Sequence, residues 1–135
     1  MNRVQWTTVV LDCGDPAELA TFWSKLLGGE HSRIKDDFHV VRSGTMWLAT
    51  QHIPDPRPAT WPDGARAKQI HLDVAVTDLD AAVAEALRLG ATQEDVQPSP
   101  RRWRVMRDPA GHLFCLSDHI HEYLPIALES RDAPT

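Results

Sequence analysis

Between residues 69 and 78 the chain reads Gln69-Ile70-His71-Leu72-Asp73-Val74-Ala75-Val76-Thr77-Asp78, a strand that runs directly into a helix cap. Side chains alternate along a strand, so Ile70, Leu72, Val74 and Val76 form an apolar face and Gln69, His71, Asp73 and Ala75 form the other. The apolar face is expected to pack under helices. The opposite face carries His71 and Asp73 and must look into something polar or wet. Asp78 is a residue type that caps a helix by accepting from exposed backbone N–H groups. Leu79, Val83, Ala86, Leu87 and Leu89 then recur at helical spacing until Gly90, a left-handed stop.

The same pattern occurs about sixty residues earlier, and internal repeats of this kind set an architecture. Leu11-Asp12-Cys13-Gly14-Asp15-Pro16 opens a helix that closes at Leu27-Gly28, with Leu19, Phe22, Trp23, Leu26 and Leu27 as its apolar stripe. Pro16 sits at the first helical position, where its missing N–H costs nothing. Thr8, Val10 and Asp12 fall on the face that corresponds to His71 and Asp73. Short strands are expected after each helix. In the first half they are Glu30–Lys35, Phe38–Val41, a turn at Ser43-Gly44, and Met46–Ile53; in the second, Thr92–Val96, Arg102–Met106, a turn at Asp108-Pro109-Ala110-Gly111, and Leu113–Ser117. Each half is thus βαβββ. Between them, Pro54–Ala67 holds Pro54, Pro56, Pro58, Pro62 and Gly64, too proline-rich for a helix or central strand and suited to a linker or lid.

Composition narrows the class. A length of 135 residues suits one domain, and a net charge of −5 argues against a general nucleic-acid binder, which needs a basic face. No apolar run approaches the roughly 20 residues of a spanning helix, so no membrane partner is expected. The N-terminal stretch is broken by polar residues and does not read as a signal peptide, which gives a cytoplasmic expectation. Cys13 and Cys115 lie far apart with no CxxC, as reduced thiols do. Of five tryptophans, Trp23 fits the helix stripe, Trp6 suits an edge or interface, Trp47 alternates in phase with Ala49 and Gln51, and Trp103 reads as a cavity wall. Trp61, in the proline-rich connection, fits a lid or a pin for the loop. Large flat walls with few charges suit an aromatic or amphipathic organic ligand. Arg101-Arg102-Trp103-Arg104 reads as a solvated face, or one arginine reaching an anionic ligand, and Asp108-Pro109-Ala110-Gly111-His112 as a tight hairpin turn.

With these details the chain resembles the vicinal oxygen chelate superfamily, the fold of glyoxalase I, fosfomycin-resistance and bleomycin-resistance proteins and extradiol dioxygenases. The segments that carry the resemblance are Val10-Leu11-Asp12-Cys13 before Asp15-Pro16, Leu48-Ala49-Thr50-Gln51, Gln69–Val74, and Asp108-Pro109-Ala110-Gly111-His112-Leu113-Phe114-Cys115-Leu116. It implies an α+β fold of tandem βαβββ modules forming a cupped eight-stranded mixed sheet around a cavity. The modules are placed at about 4–53 and 68–118 of a single domain spanning 1–135, with the connection at 54–67 and a tail at 119–135. A homodimer is implied too.

In the metal-using members four ligands come from four inward strand positions. Carried over, these fall on Thr8, Gln51, His71 and Cys115, of which His71 alone keeps a strong ligand type. A hard divalent ion wants several anionic oxygens, and this set supplies none. Zinc would accept His71 and a deprotonated Cys115, with Gln51 or a rearranged Asp73 as further donors. His71 therefore stands open as metal ligand, general base or hydrogen-bonding wall, and Cys115 as reactive thiolate or buried inert thiol. Asp12 and Asp73 mark either a polar pocket or strand-end solvation. The expectation is a small-molecule binder using Thr8, Trp47, Gln51, His71, Asp73, Trp103 and Cys115, without a cofactor. The alternative is a lyase or isomerase that uses His71 as base or metal ligand, a divalent metal being possible. Glyoxalase I activity itself is not expected, because a neutral ligand set polarises a metal-bound enediolate poorly.

Overall fold

The computed structural model describes residues 3–5, 7–44 and 46–120. Trp6 and the expected turn of the tail beyond 120 lie outside the described residues. In chain order the elements are β1 (Val9–Cys13), α1 (Pro16–Leu27), β2 (Glu30–Lys35), β3 (Phe38–Ser43), β4 (Met46–His52), β5 (Leu72–Ala75), α2 (Leu79–Leu89), β6 (Thr92–Gln93), β7 (Trp103–Arg107) and β8 (Leu113–Ser117). The fold is α+β, and its eight strands lie in two four-stranded mixed sheets, ordered β1-β4-β3-β2 and β5-β8-β7-β6. In each sheet the strand before the helix pairs in parallel with the last strand of its half: Asp12 opposite Gln51, Asp73 opposite Cys115. The repeat in sequence is a repeat in topology.

The helices begin and end for local reasons. The Asp15 and Asp78 carboxylates accept from the backbone N–H groups of Glu18 and Ala81, both at 3.1 Å. Each satisfies one of the donors that the first helical turn leaves without a partner. Gly28 (φ 69°) and Gly90 (φ 115°) supply the left-handed residue that stops each helix. From α1, Leu19, Ala20, Phe22 and Trp23 are buried; from α2, Leu79, Val83 and Ala86.

One core serves both halves. Phe22 and Trp23 of α1 pack on Phe114 of β8, with ring centroids 6.0 and 5.0 Å apart. Leu48, Val41, Met106 and Leu116 join them from both sheets. Thr50 Oγ1 donates to the Pro16 carbonyl at 2.8 Å, which fixes the helix-facing side of the first sheet. By alternation Trp47, Ala49 and Gln51 lie on the opposite side, as their phase predicts.

Three sequence expectations change. Ile70, assigned to the apolar face, precedes β5 and is 76% exposed; Leu72, Val74 and Val76 alone pack on the core. The strand expected over 92–96 ends at Gln93. Beyond Glu94, whose N–H still bonds the Val105 carbonyl, the Gln97 side chain takes the edge of β7, accepting from the Val105 N–H and donating to the same carbonyl. A side-chain amide thus replaces the backbone ladder. Finally, β3 runs on to Ser43, because its pairing with β4 persists to Ser43 opposite Met46.

Candidate functional site

β1 and β5 are both edge strands, and among the described residues no ladder joins them. They face each other across a cavity of about 210 Å³ lined by Val9, Val10, Leu11 and Asp12 on one side and Ile70, His71 and Leu72 on the other, with Trp23, His112 and Leu113 also in its wall. A larger cavity of about 340 Å³ shares Asp12, Ile70, His112 and Leu113 with it and extends under the proline-rich connection. There it meets Ile53, Pro56, Arg57, Pro58, Ala59 and Lys68. The walls of both are mostly apolar, with the polar groups at a few points, as organic ligand sites require.

The connection is held in place by close packing. A Cβ on Gly111 would lie 2.9 Å from Pro58, so only glycine at this turn (φ 91°) lets the connection approach. Trp61 is half-buried, with the Lys68 ammonium 4.4 Å from its ring centroid. Trp61 lines neither cavity; the roof is built by 56–59 instead. This favours a pinning role for Trp61 and a covering role for the prolines.

His71, just before β5, Asp73 on β5 and Cys115 on the neighbouring β8 come together on the side opposite the core. Their donor atoms lie within 4.8 Å of one another, and His71 Nε2 is 3.4 Å from Asp73 Oδ1. Register explains the trio: Asp73 sits opposite Cys115 on the parallel neighbour, and His71 is one pleat away on Asp73's side. Burial pushes the Cys115 thiol up to about 11, and the neighbouring Asp73 charge adds to this while Lys68 opposes it. The thiolate needed for nucleophilic attack is therefore scarce. Cys13 is fully buried and likewise pushed up to about 11 by burial.

The remaining candidates are dispersed. Trp103 shares the face of Cys115 through the pairing of Trp103 with Ser117 and Val105 with Cys115. Thr8, Trp47 and Gln51 belong to the first half of the chain and line neither cavity; the Arg42 guanidinium stands 5.5 Å from the Trp47 ring centroid. In the basic run, Arg104 points to α2 and pairs with Asp80 at 2.9 Å, consistent with a solvated, ion-paired face.

Sequence reasoning missed His112. Asp108, 3% exposed, accepts from the Trp23 indole N–H (3.0 Å), the Ala110 N–H (3.0 Å), the His112 N–H (2.9 Å) and the His112 ring at Nδ1 (3.0 Å). The hairpin-turn reading of this segment is correct, since the Asp108 N–H donates to the His112 carbonyl and the Gly111 N–H to the Asp108 carbonyl. It left unread that the ring at the end of the turn forms part of the cavity wall.

The family model described as a glyoxalase-like domain matches residues 8–117. The chain belongs to the glyoxalase-like domain family. Among solved structures, this glyoxalase-like protein is similar to the bleomycin-binding protein of bleomycin-producing Streptomyces verticillus, complexed with copper(II)-bleomycin, at 25% identity over 87% of this chain and 98% of that one (TM-score 0.56). It shares its fold with a glyoxalase/bleomycin resistance protein/dioxygenase family enzyme from Burkholderia phytofirmans, at 16% identity over 81% and 94% of the two chains (TM-score 0.61). A fosfomycin resistance protein from Listeria monocytogenes, complexed with Mn(II) and 1S,2S-dihydroxypropylphosphonic acid, shares it at 15% identity over 87% and 94% (TM-score 0.65). No curated protein matches the sequence.

For a hard divalent ion the residues of this glyoxalase-like chain do not fit. The three clustered donors offer one carboxylate, one imidazole and one protonated thiol, whereas such an ion selects several anionic oxygens. The same nitrogen, oxygen and sulfur set matches zinc in donor type alone.

Proposed function

We propose that this chain binds a small organic molecule with an aromatic or amphipathic body in the cleft between its two sheets, without a metal. One observation carries the reading: two contiguous cavities of about 340 and 210 Å³ with largely apolar walls run along the gap between β1 and β5 and under the connection. The similarity to a bleomycin-binding protein over nearly the whole of both chains supports binding as the use of this fold here. His71, in the wall of the smaller cavity, is the polar group that orients the ligand, with Asp73 behind it at 3.4 Å and Cys115 as a neutral neighbour outside the cavity. Trp103, Thr8, Trp47 and Gln51 extend the surface that a larger ligand would meet. We also propose a cytoplasmic protein and, on the strength of its family resemblance, a homodimer; light scattering after size-exclusion chromatography reads the dimer directly.

A second reading is favoured by the 3.4 Å approach of Asp73 Oδ1 to His71 Nε2, which orients an imidazole as a carboxylate does for a general base. In that case the chain is a lyase or isomerase with His71 as base or metal ligand. The two readings separate in one experiment on protein purified without a polyhistidine tag. Metal analysis is combined with tryptophan fluorescence against a panel of aromatic compounds, and hits are followed for turnover. Metal-free protein that responds to ligand without turnover is the expected result. Stoichiometric zinc, or turnover that His71→Ala abolishes while binding is retained, would replace the first reading by the second.

A further inference from the structure

We infer that His112 is a proton-dependent clasp across the gap between the two halves, holding β1 to the β7–β8 turn. The inference stands on geometry and does not depend on what the cleft binds. On one side lie Trp23 of α1 and Asp12 of β1; on the other lie Asp108 and His112. Trp23 Nε1 donates to Asp108 Oδ2 at 3.0 Å, and His112 Nδ1 lies 3.0 and 3.1 Å from the two Asp108 oxygens. The same ring lines both cavities with Asp12, whose backbone and carboxylate favour its charged form. The chain of contacts therefore runs from helix to turn and crosses the gap at the Trp23–Asp108 bond, where among the described residues no backbone ladder does, and it brings the His112 ring to the cavity wall that Asp12 shares.

Proton count explains why charge matters here. A neutral imidazole has one N–H and one acceptor nitrogen, whereas the imidazolium donates from both. Bonded at Nδ1 to the Asp108 carboxylate and facing Asp12 across the cavity wall, the ring can donate to both sides of the gap only when charged. Burial favours the neutral ring, yet the hydrogen bond and charge of Asp108, with the backbone and carboxylate of Asp12, outweigh it and raise the His112 pKa. The other ionisable groups around the ring belong to the same cleft. Lys68 and Arg57 line the larger cavity with it, His71 lines the smaller, and Cys13, raised by burial, stays neutral. Arg57 is turned to Asp55 at 3.0 Å, and Lys68 to the Trp61 ring.

The sign follows from linkage. A histidine whose pKa is higher in the folded chain adds stability that is complete below the unfolded value, about 6.5, and is lost as pH rises through the folded value. His112 lines both cavities, so release of the clasp changes the width of the cleft itself.

The test is a pH titration of the full ¹⁵N-labelled chain by NMR, following the His112 ring, the Trp23 indole N–H and the Asp12 and Cys13 amides. The His112 ring is expected to titrate above about 6.5, with the indole and both amides moving at the same midpoint. A ring that titrates at or below the free-histidine value, or neighbours that ignore its midpoint, overturns the inference. His112→Gln, neutral at every pH, gives a second readout by urea denaturation. Its midpoint should fall below that of the parent chain at pH 5.5, and the gap should narrow as pH passes the His112 midpoint. A gap that is constant with pH means that the ring only fills space. The NMR titration needs no variant, so the inference stays testable if His112→Gln does not fold.

Discussion

At the scale of single residues, surroundings decide what each side chain can do. Cys13 and Cys115 are both pushed up to about 11, chiefly by burial. Their alkylation by iodoacetamide at pH 8 is expected to be ~100-fold slower than that of free cysteine, because the thiolate is the nucleophile; mass spectrometry of timed samples measures it. The raised thiol of Cys115 was partly legible, since Phe114-Cys115-Leu116 offers no adjacent cation to favour the thiolate. Its Asp73 neighbour was not, because only strand register brings residues 73 and 115 together. Asp108→Ala strands the Trp23 indole in the interior and leaves two half-buried backbone N–H groups, of Ala110 and His112, without their acceptor. Loss of about 3–5 kcal/mol is expected, as for one partner removed from a buried charged pair, and read by urea denaturation. That Asp108 closes a turn could be read from five consecutive residues, but its bond to Trp23 joins positions 85 residues apart.

Among the elements, the helices were the most legible because their signals are local. Asp15 and Asp78, Pro16, Gly28 and Gly90 set both helix ends within a residue. Asp15→Ala and Asp78→Ala should each cost about 1 kcal/mol, by thermal or urea unfolding, and nearly additively because they cap different helices. Strand ends were less legible. The apolar phase of residues 69–76 was continuous in sequence, but Ile70 falls before the ladder with β8 begins and stays in solvent. β6 was overextended for a different reason, since nothing in Glu94-Asp95-Val96-Gln97 announces that a glutamine amide will replace the backbone as partner of Val105. Alternation predicts which way a side chain points; it does not say where pairing stops.

For the whole molecule, the duplicated pattern gave the topology of both halves, and the packing of the halves gave the rest. Phe114 lies at the meeting of α1 with the second sheet, touching both Phe22 and Trp23. Phe114→Ala is expected to cost about 3–5 kcal/mol. Because the core is shared, circular dichroism and tryptophan fluorescence should still report one transition for both halves. The trio His71, Asp73 and Cys115 was visible as candidates and is one cluster, of which His71 alone lines a cavity; Thr8 and Gln51, carried over by resemblance, line neither cavity. Sequence alone could not show that the cavities would open where two edge strands meet without pairing. That arrangement also means that, among the described residues, no hydrogen-bond ladder joins the two sheets, so the halves hold one another through side-chain packing in the shared core. Cutting the exposed peptide between Asp63 and Gly64 should therefore leave two fragments that reassemble by complementation, recovering native tryptophan fluorescence on mixing, so that the chain could serve as a split reporter.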